Sequence, residues 1–162
     1  FSGGAGTYGA MLALFGVGAF AGALFMAGHS RKPNPRRLAT LAAGVGVASI
    51  ALALSPVVTV AWLLIPFVGA LYISFPITGN STLQLTASGQ MRGRVMSIYT
   101  VVFLGSTPIG GPMAGWVGEH LGPRVGLAGG GVIAVAAAAV ALAALRRNAT
   151  APTPAPTPAP TD

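Results

Sequence analysis

The chain has 162 residues, of which 53% are hydrophobic and only 7% charged; its net charge is +7 and it has no cysteine. A soluble domain carries about a quarter charged residues, so an ordinary soluble fold is excluded, and the missing cysteines exclude disulfides, thiolate metal sites and thiol catalysis. The basic residues adjoin hydrophobic runs, where they read as topology signals and not as a nucleic-acid surface.

No basic segment precedes the first hydrophobic run and the chain opens on Phe1. No secretory signal peptide is therefore expected, and the sequence reads as cut from something longer. The first expected span is 8–28, followed by a basic loop holding His29, Ser30, Arg31, Lys32, Arg36 and Arg37. The second, 38–54, is rich in small residues, and Ser55-Pro56 turns the chain into a third, 57–79, containing Pro66 and Pro76. From Asn80 to Arg94 the sequence is polar. A fourth span, 95–117, contains Pro108 and Pro112 as candidate helix hinges; a short loop, Gly118 to Arg124, leads to the fifth, 125–145. Runs of this kind can hold helical spans of roughly 20 residues, the second being the shortest. The remaining residues, 146–162, are rich in Pro, Ala and Thr and are expected to be a disordered tail.

With five alternating spans, one side receives Arg31, Lys32, Arg36, Arg37, Arg92, Arg94, Arg146 and Arg147, and the other only Arg124, beside Glu119. The positive-inside rule then places the tail in the cytoplasm. The lipid bilayer is the first partner implied, and nucleic acid is not one.

Glycines recur four apart at Gly18/Gly22, Gly111/Gly115 and Gly122/Gly126/Gly130, a spacing that lets helix backbones approach closely in lipid. Packing within one bundle accounts for it more simply than a dimer seam does. Prolines inside spans free a carbonyl one turn earlier, that of Tyr72 for Pro76 and of Leu104 for Pro108. Such a carbonyl needs another partner or a wet cavity. Tyr72, Pro76, Asn80 and Gln84 are also spaced to share one helix face if the third helix continues past Thr78, which makes them candidates for a substrate path. Asn80 and Gln84 capping the helix end is the competing reading.

His29 and His120 lie on opposite sides of the membrane in this topology, so they cannot form one site, and no convergent acid, base or nucleophile is found. Neither enzymatic activity, a metal nor a cofactor is expected. No Asp, Glu, Lys or Arg falls within the five spans, so any proton- or ion-coupling group is expected outside this region.

The segment Asn80, Gln84, Arg92-Gly93-Arg94-Val95-Met96-Ser97, Gly105, Pro108, Gly110, Ala114-Gly115-Trp116 and Leu121-Gly122-Pro123-Arg124 resembles the tenth-to-twelfth helix region of the major facilitator superfamily. It is most similar to the bacterial drug and siderophore exporters, the group of the enterobactin exporter and the macrolide efflux proteins. The resemblance implies an all-α polytopic bundle, a partial major facilitator fold of helices eight to twelve. It also implies an efflux transporter or antiporter of the plasma (inner) membrane, completed by an N-terminal half that is not in this chain, with a small organic molecule as substrate. Arg92, Gly93 and Arg94 would then belong to a cytoplasmic loop that acts in gating. The loop after the first span lacks the Asp that the family often carries there, which puts an acid-dependent lock in doubt. A non-transporting membrane scaffold, derived from a transporter half, is the alternative.

Overall fold

In the computed structural model, residues 4–28 and 34–150 are described, and they form six helices: α1 Ala5–Gly28, α2 Pro35–Leu54, α3 Val58–Thr86, α4 Arg92–Gly105, α5 Thr107–His120 and α6 Pro123–Thr150. The helix ends follow local chemistry. Asn34 caps α2 by accepting the Arg36 N–H at 3.0 Å, and Pro35 occupies the first turn, where a missing N–H costs nothing. Pro56 biases Ser55 away from helical dihedrals, and the Ser55 hydroxyl donates to the Leu52 carbonyl at 2.8 Å, closing α2.

Four helices, α1, α2, α3 and α6 to Arg147, are each long and apolar enough to cross a membrane. The expected fourth span falls on two consecutive helices of 14 residues. Each rises about 21 Å, less than the hydrocarbon core, so they reach across only in series. The interruption is a single residue, Ser106, whose backbone stays near helical (φ −71°, ψ −24°). Its cause is Pro108, which has no N–H to give Leu104. Helix α3 runs to Thr86, past the expected end at 79, so Asn80 and Gln84 are helical. Helix α6 runs to Thr150, five residues past the expected boundary at 145; the rest of the tail, like His29 to Lys32, lies outside the described residues.

Packing is carried by small residues. Alanines and glycines dominate the buried set, including Ala39, Ala53, Ala61, Ala138, Gly18 and Gly22, whereas Phe20, Phe67, Val101 and Ile133 are exposed. Gly18 lies against the Pro66 backbone, and a Cβ at Gly22 would fall 2.6 Å from the Ala70 carbonyl oxygen. These pairs ascend together, so α1 and α3 run parallel on either side of the α2 reversal. Gly46 and Gly131 make a second close crossing, with a Cβ at Gly131 only 2.7 Å from the Gly46 carbonyl oxygen; it joins α2 to α6. Helix α2 also packs on α3, and α5 on α6.

The α5–α6 turn depends on Gly122, the one described residue with left-handed backbone (φ +90°). No atom lies within 4 Å of a Cβ built there, so the cost of Gly122→Ala is purely conformational. We expect it to lower unfolding stability by about 1–2 kcal/mol, and Gly122→Asn to cost less, measured by thermal unfolding in detergent.

Candidate functional site

Helices α3 and α4 are joined by the short 87–91 turn. Asn80 and Pro76 of α3 and Tyr99 and Phe103 of α4 come to the same space. Between the two helices lies a groove of about 480 Å³ lined by Ile73, Pro76, Ile77, Asn80 and Ser81 of α3 and Tyr99, Thr100, Phe103 and Leu104 of α4. The Tyr99 and Phe103 rings stack at 5.5 Å, one turn apart, and form an aromatic wall. Gly79 lies beside this wall, where a Cβ would make ordinary contacts with Leu38 of α2 at 3.6 Å and the Tyr99 hydroxyl at 3.9 Å.

Polar groups enter this apolar groove at few points. Asn80 accepts a hydrogen bond from the Gln84 side-chain amide, which ties the two amides together along α3. The Thr100 hydroxyl donates to the Met96 carbonyl at 2.9 Å. Pro76, having no N–H, frees the Tyr72 carbonyl nearby. None of the lining side chains is an acid or a base of the Asp, Glu, Lys, Arg or His kind. The groove thus offers stacking, apolar contact and hydrogen bonds, and no formal charge.

Of the path candidates, Pro76 and Asn80 line the groove, and Gln84 reaches it through Asn80. Tyr72 sits apart: its ring meets Phe15 of α1 edge-on at 5.9 Å and is not in the lining. The 40° drift per four residues carries it round the helix toward α1. Tyr99 and Phe103 escaped the sequence reading, although their i,i+4 spacing was a usable signal.

Arg92, Gly93 and Arg94 occupy the exposed first turn of α4. Cations there oppose the helix dipole, so helix stability does not explain them. Pro108 and Pro112 both lie in α5, Pro108 in its first turn and Pro112 inside it. At the far end, Glu119 and His120 belong to the last turn of α5 and not to a loop. His120 Nδ1 lies 3.0 Å from the Trp116 carbonyl and the two rings stack at 4.6 Å. Among the described residues no cluster of three or more His, Cys, Asp or Glu side chains could hold a metal.

A helical bundle with small residues inside and large apolar ones outside defines a polytopic membrane protein. The family model described as transmembrane secretion effector, a branch of the major facilitator superfamily, matches residues 1–159, and the chain belongs to that family of membrane transporters. No curated protein and no solved structure matches it.

Proposed function

We propose that the chain is the C-terminal part of a secondary transporter that exports small organic molecules, drug-like or siderophore-like, by alternating access. The observation that carries this reading is the α3–α4 groove, uncharged, partly aromatic and edged by the linked amides of Asn80 and Gln84, within a member of a transporter family. In this reading α4 and α5 together make one broken span, giving five. The side that carries eight of the basic residues is cytoplasmic, as is the C-terminus, and the membrane is the plasma membrane. The groove forms part of the path, with Tyr72 as its deeper neighbour and Pro108 and Pro112 as the hinge that lets α4 move against α5. Arg92 and Arg94 gate the inner mouth, where their side chains reach headgroups or neighbouring helix ends.

Reconstitution in vesicles tests the proposal. Residues 1–162 alone should give no saturable flux, because alternating access needs two halves, whereas the chain joined to a complementary N-terminal half should give gradient-driven flux. In that complete transporter, Arg92→Ala with Arg94→Ala should insert normally and turn over several-fold more slowly. Flux from residues 1–162 alone would refute the two-half path. A complete assembly without flux would leave the scaffold reading standing.

A further inference from the structure

A second groove, of about 420 Å³, opens between α1 and α2 on the other flank of α3, away from the Tyr99 wall. Its walls are Ala21, Phe25 and Met26 of α1 and Leu41 of α2, and its floor includes Leu71 and Ser74 of α3. The backbones of α1 and α2 do not pack against each other. The Ser74 hydroxyl already donates to the Ala70 carbonyl at 2.7 Å, so the floor presents a satisfied, apolar surface. A purely apolar slot between two helices suits a hydrocarbon chain.

The end of the slot toward the start of α2 has a different character. Arg37 lies one turn before Leu41 on α2, and its Nη2 reaches the Met26 sulfur at 3.8 Å, while the Thr78 hydroxyl reaches the same sulfur at 3.7 Å. A thioether is a weak, uncharged acceptor. Among the described residues the one carboxylate is that of Glu119, at the end of α5. A half-buried guanidinium thus stands at the mouth of an apolar slot without a carboxylate to neutralise it. Its place, immediately before the apolar run from Leu38, is the boundary between hydrocarbon and headgroups.

We infer that this groove binds an anionic phospholipid, with one acyl chain lying between α1 and α2 and the phosphate held by Arg37. The charge at the mouth selects the headgroup, and the slot selects a chain-bearing ligand over a free phosphate. The bound lipid fills the space between two helices whose backbones do not pack on each other. The inference needs membrane insertion only and is independent of the substrate path.

Native mass spectrometry of the purified full chain, offered equal phosphatidylglycerol and phosphatidylcholine, tests it. Phosphatidylglycerol should be retained over phosphatidylcholine by about fivefold, the scale of one cation at a lipid surface. Arg37→Gln should bring the ratio near parity, whereas Arg36→Gln, the same charge change at an exposed neighbour, should leave most of it. Ala21→Trp, which fills the slot, should reduce retention of both lipids, and excess inorganic phosphate should displace neither. Equal retention by the unaltered chain, equal effects of Arg36→Gln and Arg37→Gln, or displacement by phosphate would each overturn the assignment. Should Arg37→Gln lose helicity by circular dichroism, Ala21→Trp decides alone, and unchanged phosphatidylglycerol retention would overturn it.

Discussion

Gly18→Leu is expected to abolish most of the folded population, whereas Gly16→Leu, two residues away, should be tolerated. Both substitutions make α1 more hydrophobic and so favour insertion equally; any difference reports packing. At Gly18 the obstacle is the Pro66 backbone, which has no rotamer to change, and Gly69 meets the Phe15 carbonyl from the opposite helix in the same way. At Gly16 no atom lies within 4 Å of the added carbon. Overpacking a tight contact costs about 1–3 kcal/mol and occasionally more. Here the backbone contact leaves relief only in separating α1 from α3, which also strips Gly22 from Ala70. Membrane abundance and the unfolding midpoint in detergent measure the effect. Equal behaviour of the two variants would mean that α1 and α3 do not cross at Gly18.

The glycines also show how far the sequence could be read. The four-residue spacing pointed to Gly18 and Gly22, and the structure places both against α3. The same spacing pointed to Gly111 and Gly115, which face open space, to Gly122 in the turn, to Gly126, which lies against α5, and to Gly130, whose neighbour Gly131 is the residue that meets α2. In a run of three glycines the spacing cannot choose, because only the rotation of α6 against α2 decides which one faces inward. Spans were legible because apolar runs without charge leave few alternatives in a bilayer. The extension of α3 to Thr86 was conditional on polar residues continuing a helix, and Asn80 to Gln84 do so by bonding each other one turn apart. The break at Ser106 was foreshadowed by Pro108, but a proline alone does not tell a kink from a boundary. Tyr99 was not legible as a groove residue, because its place against α3 depends on where the turn falls.

If the α3–α4 groove is part of the substrate path, it is wet and not a lipid-facing crease. Because the chain has no cysteine of its own, single cysteines can be placed without background. Asn80→Cys and Tyr99→Cys both line the groove, and Ile133→Cys, on the exposed side of α6, is the lipid-facing comparison. Tyr72→Cys asks whether water reaches the deeper turn. Linked amides against hydrocarbon would be costly, so water is the expected neighbour of Asn80. In the complete transporter in inside-out membrane vesicles, a charged, membrane-impermeant maleimide should modify positions 80 and 99 and spare 133, with transported compounds slowing the reaction. Modification at 80 and 99 by lipid-soluble reagents alone, as at 133, would place this face against the bilayer and contradict the account.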